Sequence, residues 1–280
     1  EEIEMSRLLS ADFARLKKNK FFWICMIGMF LLGLFMAAMH YIAMQEYGEN
    51  KPQITSILFS YALVVVFLIP AFVSLFVGTE YSDGTIRNKM IIGHTRSRIY
   101  LSNLIVCSIA GLVFCTCYLI GVFAVALPLY TIDTDILKGI MILILCSFVM
   151  SIAFTALCVL TAMLCQNKAL TAVVNILAAC FLLVMSIYIM NKLSEPEVYP
   201  GYSVITDSGE VEVLGNEPNP DYLRGTEREI YQFFNDFIPT GQAVNITQAG
   251  GYNHPSAEIH PISAAISYHS SVSFSSRLFT

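Results

Sequence analysis

GIMILILCSFVMSIAFTALCVLTAMLC, residues 139–165, contains no Asp, Glu, Lys or Arg. A helix needs about 20 apolar residues to cross the hydrocarbon core of a bilayer, and this stretch is longer. A buried helix of a soluble protein, or the core of a signal peptide, is usually shorter. The apolar residues are continuous rather than alternating, which excludes a strand of a membrane β-barrel. The stretch therefore predicts a transmembrane helix.

Four further stretches share this character, namely residues 21–44, 54–77, 101–130 and 169–190, and none of them contains a formal charge. The whole chain of 280 residues is 56% hydrophobic and 13% charged, about half the charged content of an average soluble domain. This composition excludes a soluble globular enzyme and a disordered chain. The sequence predicts an all-α fold, a polytopic helical membrane protein whose residues 21–190 form five spans.

The basic residues lie mainly in the loops on one side of the predicted spans. They are Arg7, Arg15, Lys17, Lys18, Lys20, Arg87, Lys89, Arg96, Arg98 and Lys168. The loops on the other side of the first four spans hold only Lys51 and Lys138. Because Lys and Arg concentrate in cytoplasmic loops, the N-terminus is predicted to be cytoplasmic.

The N-terminal segment, residues 1–20, contains an amphipathic pattern between residues 4 and 20. The apolar side chains that share one helical face are Met5, Leu8, Leu9, Phe13 and Leu16, and the basic residues lie largely elsewhere. Such a helix lies in the headgroup plane of a bilayer. The alternative is a solvated tail whose charges serve only to orient the chain.

The loop 78–100 is the sizeable cytoplasmic loop between predicted spans. Asp83, Gly84 and Thr85 favour a turn and a helix start, and Gly93 favours a helix end, which predicts a short helix over residues 86–92. Its expected surface is an apolar ridge with a basic rim, made by Ile86, Met90, Ile91 or Ile92, Arg87 and Lys89. This surface suits docking into a groove on a soluble partner. The alternative is a loop whose charges only set the topology.

Residues 191–249 are predicted to form an external loop. Seven of the ten prolines and eleven acidic residues fall after residue 190, so residues 191–222 are expected to be irregular. Within 224–237, four apolar residues recur at helical spacing and predict one short helix that ends before Pro239; they are Ile230, Phe233, Phe234 and Phe237.

Two stretches carry a resemblance to a known family. EYSDGTIRNK at residues 80–89, followed by Gly93 and Arg98, and RGTEREIYQFFNDFIPTGQA at residues 224–243 resemble ABC-2-type transporter permeases. The most similar subgroup comprises bacterial permeases for antimicrobial-peptide export and immunity. The similarity extends over most of the chain, including the N-terminal helix and the order of the spans.

The resemblance implies a plasma-membrane permease subunit of an ATP-driven exporter that moves a hydrophobic or amphipathic substrate such as a peptide or lipid. Its partners would be a separate ATPase subunit, a second permease subunit and the lipid bilayer. Segment 84–92 would be the coupling helix that seats in the ATPase. The residues implied in coupling are Glu80, Asp83, Gly84, Thr85, Ile86, Arg87, Lys89, Met90 and Arg98. Those implied in an external or re-entrant helix are Glu227, Tyr231, Phe234, Phe237 and Pro239.

Sequence motifs for catalysis are missing from the chain. It has no Gly-x-x-x-x-Gly-Lys-Ser/Thr stretch and no His-Glu-x-x-His or Gly-x-Ser-x-Gly motif, so a non-catalytic subunit without cofactor, metal or nucleic acid is expected. The charge-free spans disfavour an ion-coupled carrier. Asn175 is expected to bond between helices, and His40 to lie at the interface. The alternative function is a membrane sensory or interaction protein without transport activity.

Residues 250–280 depart from the family pattern. The family has a sixth span, but Glu258, Pro261 and two histidines interrupt this stretch, so five spans are predicted. Two interpretations remain open: a terminus altered after about Gly250, and a variant that lacks the sixth span.

Overall fold

The computed structural model describes residues 2–46, 54–130, 137–199, 203–205, 211–213 and 217–251. Its first eight helices, in chain order, are α1 (Glu2–Lys18), α2 (Lys20–Glu46), α3 (Thr55–Leu58), α4 (Tyr61–Ser82), α5 (Thr85–Ile91), α6 (Arg96–Leu129), α7 (Leu137–Cys165) and α8 (Lys168–Ser194). The helices α2, α4, α6, α7 and α8 are long and apolar enough to cross a membrane. The predicted all-α polytopic fold is confirmed.

The second span differs most from its predicted bounds. It was expected at 54–77, whereas the structure has the single turn α3 followed by α4, which extends to Ser82. The helix continues through polar residues beyond the apolar run, and the backbone N–H of Asp83 still donates to the carbonyl of Thr79. The hydroxyls of Thr79 and Ser82 donate to the carbonyls of Leu75 and Gly78. This extension carries Glu80 on a spanning helix rather than in a loop.

Helices α2 and α6 approach closely at two glycines. A side-chain carbon on Gly33 would overlap the carbonyl oxygen of Tyr118, and one on Gly121 would overlap that of Phe30. Small residues allow such contact between membrane helices, where close van der Waals packing replaces the hydrophobic effect. Helices α4 and α6 also pack through aromatic rings. The rings of Phe72 in α4 and Phe114 in α6 are arranged edge to face, with their centroids 5.3 Å apart.

After α8 the chain forms two short antiparallel strand pairs. Strand β1 (Val198–Tyr199) pairs with β4 (Glu217–Pro218), and β2 (Ser203–Ile205) pairs with β3 (Val211–Val213). The prediction that residues 191–222 are wholly irregular is therefore wrong. The strands are rich in Val, Ile and Tyr, whose side chains favour extended backbone.

Two helices complete the described chain, α9 (Thr226–Phe237) and α10 (Pro239–Gly251). The first confirms the predicted helix at 224–237. The second was not predicted, because Pro239 was taken as a helix end although proline also suits the first position of a helix. Helix α10 packs on α4, α7 and α8, and its Thr240 hydroxyl lies 2.7 Å from that of Ser186. The predictions for residues 252–280 lie outside the described residues.

Candidate functional site

Helix α5 lies at the end of the bundle that also holds α1 and the start of α6, called here the basic end. Glycines bound the helix: Gly84 is its N-cap with φ of 69°, and Gly93 follows it with φ of 106°. His94 donates its backbone N–H to the carbonyl of Lys89, which satisfies a carbonyl of the last turn. The predicted helix at 86–92 is confirmed, with Thr85 as its first residue.

The far side of α5 is exposed and apolar. Ile91 and Ile92 are 74% and 78% exposed, and Met90 is also exposed. We call these three residues the exposed tip. Arg87 is exposed beside it. Scattered exposed apolar residues are ordinary, but adjacent ones at the end of a capped helix mark a surface that is suited to protein contact.

The near side of α5 is buried against α1. Ile86 is only 4% exposed and forms a small apolar cluster with Leu8 of α1 and Ile99 of α6. The expectation that Ile86 belongs to the exposed ridge is therefore wrong. The amphipathic helix α1 turns part of its apolar face toward α5 and covers this side chain.

A buried carboxylate organises the basic end. Glu80 of α4 is 2% exposed. Its Oε1 lies 2.5 Å from Lys89 Nζ and forms an ion pair with Arg15. Its Oε2 accepts a hydrogen bond from Asn103 Nδ2 at 3.0 Å. A buried carboxylate is tolerated only with such partners, because its removal from water is costly.

Asp12 of α1 is the second carboxylate of this network. Its Oδ1 accepts from Lys89 Nζ at 2.7 Å, and its Oδ2 accepts from Ser102 Oγ at 2.6 Å. Two carboxylates and two cations thus balance each other. We call Asp12, Arg15, Glu80, Lys89, Ser102 and Asn103 the charge network; it joins α1, α4, α5 and α6.

The charge network shows that several residues have a different role from the one expected from the sequence. Glu80 and Lys89 were expected on a docking surface, but their charged groups point inward and pair with each other. Asp12, Ser102 and Asn103 were missed. The sequence held one signal: Asp12 lies four residues after Leu8 and four before Leu16, in the middle of the apolar face of α1. A carboxylate at that position requires a buried partner.

The other predicted residues of the loop lie around α5. Asp83 is exposed at the end of α4, and Thr85 opens α5. Thr95 caps α6, accepting at 3.4 Å from the backbone N–H of Arg98, which is partly buried. The structure therefore brings Glu80 and Lys89 together in the network and leaves Arg87 and Met90 outside it.

A comparison with known families identifies one family whose match includes all the residues of the charge network. A family model described as ABC-2 family transporter protein matches residues 8–187, from the first turns of α1 nearly to the end of α8. The chain belongs to this ABC-2 family. It is a membrane permease component of an ABC transporter, a type of subunit that is normally non-catalytic. No curated protein matches the permease in sequence.

At the opposite end of the permease, the five residues predicted in an external helix do not form one cluster. Glu227, Tyr231, Phe234 and Phe237 lie along α9, and Phe234 and Glu227 are exposed. Pro239 is buried at the start of α10. Arg228, which was not singled out, donates from Nη2 to the carbonyl of Leu193 at 3.2 Å. This bond holds α9 against the last turn of α8.

Polar side chains inside the permease bond between helices. Asn175 of α8 donates from Nδ2 to Ser74 Oγ of α4 at 3.2 Å and to the carbonyl of Cys158 of α7 at 3.3 Å. The prediction for Asn175 is confirmed. His40 lies near the far end of α2, with Nδ1 3.2 Å from the hydroxyl of Tyr130. Among the residues the structure describes, no three potential metal ligands come together.

Proposed function

We propose that this permease is the membrane subunit of an ATP-driven exporter and that the exposed tip seats in a groove of a separate ATPase subunit. The observation that carries the proposal is the exposure of Ile91 and Ile92 on a short helix whose other face is fixed to the bundle. A projecting apolar contact on a rigid base suits the transfer of force between chains, because little of the motion is lost within the loop.

The charge network provides the path by which such a motion reaches the spans. Lys89 connects α5 directly to Asp12 of α1 and to Glu80 of α4. A displacement of α5 therefore moves the interfacial helix and the second spanning helix together. Of the coupling residues proposed from the sequence, Arg87 and Met90 are contact residues, and Glu80, Ile86 and Lys89 are internal. The exposed side chains of Ile91 and Ile92 join the contact residues.

The proposal includes the orientation and the cargo. The basic end faces the cytoplasm, as the distribution of Lys and Arg favours, in the plasma membrane of a cell. The substrate is hydrophobic or amphipathic, a peptide or a lipid, because the apolar runs of the spans contain no formal charge to bind a polar solute. A second permease subunit completes the pathway, and α9 and α10 lie at its outer mouth.

The test is ATPase coupling in reconstituted vesicles. The permease is purified with its ATPase, and Ile91→Asp and Ile92→Asp are compared with Asn88→Asp, which adds the same charge to an exposed position of α5. The first two variants are expected to weaken ATPase binding roughly tenfold or more, because a charge replaces an apolar contact. Asn88→Asp is expected to retain most of the binding.

Equal loss in all three variants would show that added charge, rather than the apolar tip, matters. Full binding and full ATPase stimulation in Ile91→Asp and Ile92→Asp would overturn the docking role of α5. Purification of the permease without any ATPase would favour the sensory alternative.

A further inference from the structure

A cavity of about 270 Å³ opens beside the charge network, between the end of α1 and the end of α4. The polar residues that line it are Arg15, Lys18, Asn19, Thr79, Glu80, Asp83 and Thr85. The exposed tip is not part of this cavity.

The cavity lies where the chain enters the membrane. Asn19 separates α1 from α2, and its Oδ1 accepts from the backbone N–H of Phe21 at 2.8 Å. Trp23, the one tryptophan of the chain, is 46% exposed, and its indole N–H donates to the carbonyl of Lys17 at 2.9 Å. Tryptophan concentrates at membrane interfaces, so the α1–α2 junction marks the headgroup level.

One edge of the Arg15 guanidinium group is paired, and the other has no hydrogen-bond partner in the described chain. Its Nη1 pairs with Glu80, and its Cζ lies over the ring of Phe76, 3.8 Å from the ring centroid. Its Nε and Nη2 are shielded from solvent and have no hydrogen-bond partner among the residues that the structure describes. Buried donors without partners are costly, so these two call for an acceptor.

The free edge of Arg15 has a definite chemical preference. Nε–H and one Nη2–H are parallel donors, the fork with which arginine binds two oxygens of a phosphate. Lys18 supplies a second cation at the cavity wall. Asp83 supplies an exposed carboxylate on the opposite element, α4, which attracts a cation and repels a headgroup that carries only negative charge.

We propose that this cavity binds the headgroup of a zwitterionic phospholipid, with its phosphate on Arg15 and Lys18 and its ammonium group on Asp83. Phosphatidylethanolamine has this arrangement of charges. Phosphatidylglycerol has the phosphate without the ammonium group, so it fits only half of the site.

The experiment measures lipid binding to the delipidated full chain by native mass spectrometry. Three ligands are titrated: phosphatidylethanolamine, phosphatidylglycerol with the same acyl chains, and soluble glycerophosphoethanolamine. Tightest binding is expected for phosphatidylethanolamine. Lys18→Gln should weaken it about tenfold, as expected for the loss of one charge-assisted hydrogen bond. The matched control is Lys17→Gln, which removes the same charge one residue away from the cavity wall and should change binding by less than roughly twofold.

Asp83→Lys tests the ammonium half of the site. It replaces an exposed carboxylate by a cation and should reverse the preference, so that phosphatidylglycerol binds more tightly than phosphatidylethanolamine. Equal loss in Lys17→Gln and Lys18→Gln would overturn the site, as would equal binding of the two lipids to the unmodified chain. Binding of soluble glycerophosphoethanolamine as tight as that of the lipid would assign the cavity to a soluble phosphate ester instead.

Discussion

The ammonium nitrogen of Lys89 lies 2.7 Å from Oδ1 of Asp12, so a residue of α5 is fastened to the first helix of the chain. The side chain of Asp12 is 3% exposed and that of Lys89 is 12% exposed. In most membrane proteins an amphipathic helix on the bilayer surface is held by lipid contacts. Helix α1 is held by an ion pair to the segment between two spanning helices.

Replacement of Lys89 by methionine should strongly destabilise the folded protein. The change leaves Asp12 without its cation and leaves Glu80 with Arg15 alone. Loss of one partner from a buried ion pair costs about 3–5 kcal/mol. Thermal unfolding in detergent measures the effect. Arg87→Met, on the exposed side of the same helix, is the control and should change stability by less than about 0.5 kcal/mol. Similar losses in both variants would contradict the buried role of Lys89.

The two sides of α5 should respond differently to truncation of isoleucine. Ile86→Ala should lower the free energy of unfolding by about 2–4 kcal/mol, because a buried side chain leaves a cavity. Ile92→Ala should lower it by less than about 0.5 kcal/mol, because that side chain is mostly exposed. Chemical denaturation of both variants in the same detergent makes the comparison. The structure would be contradicted if Ile92→Ala were the more damaging change.

A methyl group should have opposite effects at two glycines of the spans. Gly121→Ala places a carbon against the backbone of Phe30 and should destabilise the contact between α2 and α6 by about 1–3 kcal/mol. Gly28→Ala on α2 meets no atom within 4 Å and should stabilise the helix by about 0.5–1 kcal/mol. The difference in melting temperature between the two variants is the measurement. Equal shifts of the same sign would argue against close packing at Gly121.

The end of the bundle that carries α9 should show a pH dependence that originates in Asp236 of that helix. Partial burial raises the pKa of this carboxyl above its ordinary value. The folded state therefore favours the protonated form, so the group's contribution to stability is fully present below the pKa of an unfolded aspartate. That contribution is lost as the pH rises through the higher pKa of the folded state.

Asp236→Asn provides the measurement. The variant should match the unmodified chain at pH 3 and be the more stable of the two at pH 7, in unfolding curves recorded in the same detergent. Glu227→Gln, at an exposed position of the same helix, is the control for removal of a charge. A difference at pH 3 that disappears at pH 7 would reverse the expected sign.

Much of the fold follows from local sequence, and the interior of the site does not. A continuous apolar run such as 139–165 determines a spanning helix, and Gly84 and Gly93 determine where α5 begins and ends. Which face of α5 is buried depends on where α1 crosses it, and no local pattern contains that information. Ile86 and Ile92 look equivalent in the sequence for this reason. Only a nonlocal contact, that of Ile86 with Leu8 and Ile99, distinguishes them.

Two further differences have separate causes. Glu80 was assigned to a loop because the apolar run ends at residue 77, but helical backbone bonding continues to Asp83, whose N–H donates to the carbonyl of Thr79. Helix α10 contains few strongly apolar residues, and its position depends on contacts with α4, α7 and α8. The position of α10 is therefore determined by tertiary packing, whereas the end of α4 is determined by local backbone bonds that the apolar run does not reveal.

The hydrogen bonds of Asp12 also constrain the order in which the charge network forms during synthesis. Asp12 precedes Lys89 by 77 residues and Ser102 by 90 in the chain. At a synthesis rate of ~5–20 residues per second, these partners leave the ribosome on the order of 5–20 seconds after Asp12 does. During that interval the carboxylate of Asp12 has neither of these two partners. The basic end therefore closes late in biogenesis, once the start of α6 has been synthesised.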